Sequence, residues 1–426
     1  MICVTTQHFG YHRILLLAIG LWPYQQSKLV QFQLMLCYGI VISFIVAQFS
    51  VFMSAECTVN IAIKVLSTAL CFTMYMIEYN SFRINAQIVK GFLEELQDIC
   101  NELKDENEIA IIKRYGNIAK RYTAIVTFFY ITNCTSVILL PILPFIPGLG
   151  FINESRQRHA IKTVMPVYYV NQEKYFYLLL LHAVTTMLIG GTALVGTGMM
   201  LIGYMKHACG MFRIASYRIK KALMVNMVEN ISSKDEIIIY KKIILAIDIH
   251  RKAIKLVFFL LIFNNIKNNI FNFLICLRFS ELLFSNFQGS HFLVIVVGVI
   301  CLSLNLYGIS ETAALRGDTE RFVIHLLIIG VMFAYLFIAN YAGQEITDHN
   351  DHVFSTAYNV QWYIAPLHIQ KLILFLLQRG SKTLTLQLGG IFILSLEFFA
   401  TVKINVEYYV IFFFIHETDY MSCILF

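Results

Sequence analysis

The stretch from Ala357 to Phe414 reads AYNVQWYIAPLHIQKLILFLLQRGSKTLTLQLGGIFILSLEFFATVKINVEYYVIFFF, and its reading decides the fold. The first half is amphipathic and broken by Pro366. The second half, from Leu384 onward, stays apolar for longer than the roughly 20 residues that a bilayer-spanning helix needs. After Pro366, which suits the first turn of a helix, Ile369, Leu372, Ile373 and Leu376 recur at i, i+3, i+4 and i+7, leaving Gln370, Lys371 and Gln378 on other faces. A helix with one stripe to bury is followed by one that spans lipid.

Composition extends this reading to the whole chain. Apolar residues make up 58% and charged residues only 14%, against about a quarter charged in soluble domains, and the mean hydropathy is +0.68. These values define an all-α, polytopic membrane protein whose first partner is the lipid bilayer. The net charge of +7 is concentrated beside apolar runs, where it orients the chain. No nucleic-acid partner is expected. The ten cysteines form neither a CxxC pair nor a disulfide framework. Arg13 and the short apolar run from Ile14 to Leu21 are followed by Trp22 and Pro23 instead of a cleavage site, so this segment is expected to be retained in the cytosol.

Seven stretches are long and apolar enough to span: Leu29 to Met53, Thr58 to Tyr79, Thr123 to Gly150, Tyr175 to Met205, Ser290 to Ser310, Phe322 to Ala342, and Leu384 to Phe414. This divides the chain into residues 1–383, holding six spans and a cytosolic anchor helix over 353–383, and a last span over 384–414. Basic residues crowd the loops on the N-terminal side, and few lie opposite, among them Arg156, Arg158, Lys162 and Arg316. The positive-inside rule therefore puts the N-terminus in the cytosol and the C-terminus outside, opposite to a G-protein-coupled receptor. Two long cytosolic loops carry helical stripes, Leu93, Leu96, Cys100 and Leu103 in the first, then Phe212, Ala215, Ile219 and Ala222, then Tyr240, Ile244 and Ile247 in the second.

Motifs for chemistry are sparse. Glu345, Asp348, His349, Asp351 and His352 are metal-ligand types at close spacing, but without HExxH or a closed tetrahedral set they read as a solvated loop, and no metal or cofactor is expected. Glycines around Gly190, Gly191 and Gly196 allow close helix packing in lipid. Asn153 heads an acceptor sequon in an outer loop, a candidate for glycosylation. Among ionisable residues inside spans, Lys64 can snorkel outward, whereas His182 and His325 are candidates for lining a cavity. No nucleophile, base and acid set stands out, and no enzyme is expected.

The string carried by Ala357, Tyr358, Trp362, Tyr363, Pro366, Gln370, Lys371, Leu372, Phe375, Gln378, Arg379, Gly389, Gly390, Phe392, Ser395, Leu396, Glu397, Phe399 and Ala400 resembles the C-terminal signature of the insect odorant receptors. NQEKYFYLLLLH at 171–182, the segment 93–123 and GQEITDHNDHVF at 343–354 are similar to other parts of that family, so the resemblance runs from about Phe92 to Ala400. It implies an odorant-tuning subunit of a heteromeric, odorant-gated nonselective cation channel in the plasma membrane of olfactory sensory neurons. Four subunits, including an obligate olfactory co-receptor, would surround a pore lined by the last span. The implied assembly residues are Tyr358, Trp362, Tyr363, Pro366, Gln370, Lys371 and Phe375. A small volatile organic ligand would occupy a pocket among spans two, three, four and six, with Thr68, Phe72, Met74, Ser136, Leu139, His182, Thr186, Ile189, Phe322 and His325 as candidates by depth. A pore constriction would fall around Val406 and Val410. The alternatives are a gustatory-type channel that works without a co-receptor and a G-protein-coupled receptor.

Leu256 to Arg278, LVFFLLIFNNIKNNIFNFLICLR, fits none of this. Asn264, Asn265, Lys267, Asn268, Asn269 and Asn272 sit in the middle of an apolar run, and an eighth span would put Lys371, Arg379 and Lys382 outside. The segment 256–278 reads as a retained intron, with a membrane-surface hairpin as the alternative.

Overall fold

The computed structural model describes residues 7–25, 27–53, 59–139, 174–223, 233–261, 287–314, 319–380, 383–388 and 392–408. Ser27 starts the first long helix by accepting a hydrogen bond from the Val30 backbone N–H at 3.3 Å, an N-cap contact. The described helices are α1 (Gly10–Ala18), α2 (Lys28–Ser50), α3 (Val59–Ile84), α4 (Ala86–Glu102), α5 (Glu106–Leu139), α6 (Phe176–Leu223), α7 (Ser233–Leu261), α8 (Phe287–Ala314), α9 (Thr319–Asn359), α10 (Leu367–Gly380) and α11 (396–408). Six of them, α2, α3, α5, α6, α8 and α9, are long and apolar enough to cross a membrane.

Three of the spans run far past the bilayer. At 1.5 Å per residue α6, with 48 residues, is about 72 Å long, more than twice the ~30 Å of a hydrocarbon core. α5 and α9 likewise outrun the bilayer. Apolar length marks where a helix can sit in lipid, not where it ends. The overhanging parts form a second layer in which α1, α4 and α7 pack on α6 and α10 packs on α7 and α9. His12 of α1 donates to the Met199 carbonyl at 3.0 Å, fastening α1 against α6.

The stripes close this layer. Leu93, Leu96, Cys100 and Leu103 are buried, as are Phe212, Ala215, Ile219 and Ala222. On α7 the buried face is Ile239, Ile243, Ala246, Ile249 and Ala253, while Tyr240 and Ile244 are exposed. The expected stripe on α7 is therefore one residue out of phase, because Ile237, Ile238, Ile239, Ile243, Ile244 and Leu245 supply apolar residues to two faces and periodicity alone selects neither. Ion pairs bind the elements of this layer, with Arg218 gripping Glu108 through two bonds of 2.7 and 2.8 Å.

Two expectations are corrected here. The residues from Glu345 to His352 are not a loop but a continuation of α9. Their side chains go to separate partners: Glu345 pairs with Lys206, His349 accepts from the Tyr115 hydroxyl at 2.6 Å, and His352 meets Arg213 and Ser216.

The last span does not begin at Leu384. Residues 383–386 are not helical, and Gln387–Leu388 pairs antiparallel with Phe392–Ile393, setting Gln387 opposite Ile393. The reason is visible in Thr383-Leu384-Thr385-Leu386-Gln387-Leu388, which alternates with the period of a strand. Leu384 and Leu386 are buried. Helix α11 starts only after Ser395, whose Oγ accepts from the Phe398 N–H at 3.1 Å. Leu256 to Leu261 prolong α7, and the rest of the suspected insert lies outside the described residues, as do Asn153 and Val410.

Candidate functional site

Within the membrane layer, α3, α5, α6, α8 and α9 leave a cavity of about 940 Å³ between them, lined mainly by apolar side chains. That is near the upper end of the range for small-molecule pockets. Gly190 and Gly191 on α6 help to shape it. A Cβ at either position would overlap an aromatic ring, of Tyr75 at Gly190 and of Tyr130 at Gly191, so both rings lie directly on the α6 backbone. The Tyr130 hydroxyl then donates to the Leu188 carbonyl at 3.0 Å. These glycines admit rings from neighbouring helices as well as permitting close helix approach.

Of the ten ligand candidates, Thr68, Phe72 and His325 line this cavity. The structure brings them together from α3 and α9. His325 Nδ1 donates to Asn305 Oδ1 at 2.9 Å, which leaves Nε2 as the acceptor of the neutral ring. Gly308 makes room for that ring. The other seven lie elsewhere. Met74 is buried in a packing cluster with Val294 and Leu302. His182 donates from Nε2 to the Ile40 carbonyl at 3.3 Å and meets Ser43, tying α6 to α2. Thr186 donates to the His182 carbonyl. Ile189 faces Tyr79 and Ala193 in a small separate crevice, Ser136 is half-buried and donates to the Thr132 carbonyl at 3.0 Å, and Leu139 and Phe322 are exposed. Depth along a span finds the right layer, but which face turns inward depends on packing.

Several lining residues escaped sequence reasoning, among them Tyr75, Tyr130, Asn133, Tyr335 and Asn340. Lys64 also lines the cavity, although it reads from sequence as a snorkelling residue. Behind the wall sits Glu78, 1% exposed, accepting from the Tyr335 hydroxyl at 3.1 Å and Thr197 at 3.5 Å, with His291 Nε2 at 3.7 Å. A carboxylate inside an apolar run is costly unless so partnered, and that cost is the signal that could have flagged it.

The end of the cavity nearest the second layer includes Asn340 and Leu394. Asn340 Oδ1 accepts from the Ser395 N–H at 3.0 Å, and Leu394 packs on Gly343. The cavity wall thus touches the residues that lead into α11. Val406 of α11 packs beside the Met74 cluster.

The implied assembly residues surround α10. Ile369, Ile373 and Leu376 are buried, while Tyr358, Tyr363, Lys371 and Phe375 are exposed on the other side. Gln370 Nε2 donates to the Tyr363 and Ala365 carbonyls at 2.8 and 2.7 Å, fixing the turn that holds Trp362 and Pro366.

Long helices able to cross a membrane around an apolar cavity, joined to a second packed layer, define a multi-span membrane protein with an internal pocket. A family model described as 7tm Odorant receptor matches residues 55–405, and the chain belongs to that odorant receptor family. The structure of the insect olfactory receptor OR5 from Machilis hrabei in complex with eugenol is similar at a TM-score of 0.71 and 13% identity, covering 96% of this chain and 99% of that one. The OR5 structure described without eugenol gives a TM-score of 0.70 at 14% identity, with coverage of 95% and 96%. At these identities the likeness is one of fold. No curated protein matches the chain in sequence.

Proposed function

We propose that this odorant receptor is the odorant-binding, tuning subunit of a heteromeric, odorant-gated nonselective cation channel, assembled as a tetramer with an obligate olfactory co-receptor in the plasma membrane of olfactory sensory neurons. The observation that carries the reading is the apolar cavity whose wall reaches, through Asn340 and Leu394, the start of the last helix. Small volatile ligands suit such a space, which offers apolar area and a few polar groups. Gating requires the ligand to favour the open state over the closed one. A cavity in contact with the lead-in to α11 gives ligand a route to that preference, with the constriction near Val406 and Val410 wetting as the helix shifts.

In this reading the N-terminus is cytosolic, residues 1–383 form the receptor domain and the last helix, which starts after Ser395, lines the pore. The exposed apolar residues Tyr358, Tyr363 and Phe375 support subunit contacts on the cytosolic side. Asn153 carries the glycan, and 256–278 is absent from the mature chain. The test is current from cells expressing the chain with and without the co-receptor. Odour-evoked current only with co-receptor is expected. Full current from the chain alone favours the gustatory-type alternative, and a cytosolic C-terminal tag favours a G-protein-coupled receptor.

A further inference from the structure

Much of the polar wall of the cavity has already committed its protons. The hydroxyls of Thr68, Thr312 and Tyr130 donate to the backbone carbonyls of Lys64, Gly308 and Leu188 at 2.8, 2.8 and 3.0 Å, and that of Tyr335 donates to Glu78 at 3.1 Å. A hydroxyl carries one proton, so each of these oxygens is left as an acceptor. Lys64 and Arg321 also line the wall, and both already have partners. His325 completes the pattern. Asn305 is fully buried, and its amide nitrogen donates to the Cys301 carbonyl at 2.7 Å, a group that can only accept. The amide oxygen of Asn305 therefore faces His325 and takes the Nδ1 proton at 2.9 Å. That bond fixes the tautomer, leaving Nε2 as a bare lone pair with no hydrogen-bond partner among the described residues. The ring lies on Gly308, where a Cβ would come within 2.6 Å of Cε1 and Nε2, and Gly308 lines the same cavity.

A wall with spent donors and one bare acceptor is complementary to a ligand that brings a proton of its own. We infer that the cavity takes a neutral hydroxyl compound, an alcohol or a phenol, whose O–H donates to His325 Nε2 while its apolar body fills the remaining space. This inference rests on the odorant-binding reading above and narrows it to a ligand class. An ether of the same size gains the same apolar contact but brings only another acceptor, which leaves Nε2 unpaired. Asn133 lines the cavity with both a donor and an acceptor and so favours neither compound. An alkylammonium also donates, but it must carry a charge into an apolar space. Asn305 acts through His325 as a positioning residue, since its carbonyl oxygen decides which ring nitrogen keeps the proton.

The experiment has two arms. The full chain is expressed with the co-receptor, and dose-response currents are recorded for 1-octanol, its isomer heptyl methyl ether and octylamine, with 4-propylphenol and 4-propylanisole as an aromatic pair. Separately, binding of the same compounds to the purified complex is measured by the rise in its melting temperature. The expected result is that each hydroxyl compound acts at a concentration lower than its ether by about threefold to tenfold, the range for one neutral hydrogen bond. His325→Asn, which keeps an amide nitrogen for Asn305 and places nothing at Nε2, should bring that ratio close to one. His325→Gln, whose amide oxygen reaches about as far as Nε2, should keep part of the preference and show that the Asn variant does not act through misfolding. Preferential binding of the hydroxyl compounds without current would support the site and count against the channel reading. Currents evoked by the ethers at the same or lower concentration would overturn the inference and leave the channel reading intact. Octylamine acting below 1-octanol would overturn it in favour of an ionic site at Glu311, which also lines the cavity. An undiminished ratio in His325→Asn, or no binding of either hydroxyl compound to the purified complex, would overturn it as well.

Discussion

Asn340 on α9 accepts a hydrogen bond from the backbone N–H of Ser395 at 3.0 Å, and Asn340 also lines the apolar cavity. One side chain thus touches both the space a ligand would fill and the residue that caps α11. Its Nδ2 is held by the Leu336 carbonyl at 2.8 Å, so its orientation is set by α9 itself. Asn340→Ala removes the tie without altering the cavity's apolar wall. The expected outcome is a lower maximal odour-evoked current, with surface abundance and ligand rank order preserved. Equal maximal currents in the variant and the parent would show that the tie does not couple cavity to α11.

Lys206 and Glu345 form a buried ion pair between α6 and α9, with the ammonium 4.4 Å from the Tyr122 ring centroid and 5.3 Å from that of Tyr341. Removing one partner strands the other charge, at a cost of about 3–5 kcal/mol. Lys206→Met and Glu345→Gln should therefore each lower surface delivery and thermal stability in detergent. The double variant Lys206→Met with Glu345→Met should recover much of the loss, because a buried pair replaced by apolar groups is often nearly neutral. A double variant less stable than either single one would contradict this.

Phe72 and Met74 are two residues apart on α3 and face different surroundings. Phe72 lines the cavity and Met74 packs against Val294 and Leu302. Phe72→Ala should change odorant rank order, whereas Met74→Ala should reduce stability by about 2–5 kcal/mol with the rank order kept. Dose-response curves and thermal unfolding of both variants separate the two effects.

Stability should fall in mild acid. Burial pushes the imidazoles of His8 and His250 down from the usual histidine range, with Lys120 and Lys113 adding to the effect at His8. The unfolded chain binds a proton at these positions near pH 6.5 and the folded chain does not, so lowering the pH through 6.5 favours unfolding. The purified receptor should melt at a lower temperature at pH 5.5 than at pH 7.5. His250→Gln, which keeps a partner for Asn350, should reduce that difference.

Much of the fold was legible because lipid leaves a strong mark on composition. The apolar runs located the spans, and the stripes Leu93 to Leu103 and Phe212 to Ala222 marked helix faces that the structure buries. The failures have physical causes. Apolar residues on two faces of α7 left its phase undetermined, and the alternation from Thr383 to Leu388 was submerged in a long apolar count. Glu345 to His352 read as a loop because charged residues suggest solvent, yet on α9 they meet Lys206, Tyr115 and Arg213. In the cavity, Thr68, Phe72 and His325 were reachable by depth. Tyr75 and Tyr130 were not, since their place depends on two glycines on another helix.

In the proposed function, odorants act from the cavity among α3, α5, α6, α8 and α9. Thr68 lines it, as do the native thiols Cys71 and Cys134. The most direct measurement introduces Thr68→Cys into a Cys71→Ser, Cys134→Ser background, expressed with the co-receptor, and follows odour-evoked current during treatment with a bulky thiol-modifying reagent. The account predicts progressive loss of the response, slowed when odorant is present during modification. Complete labelling of Cys at this position with unchanged current and unchanged odorant ranking would contradict it.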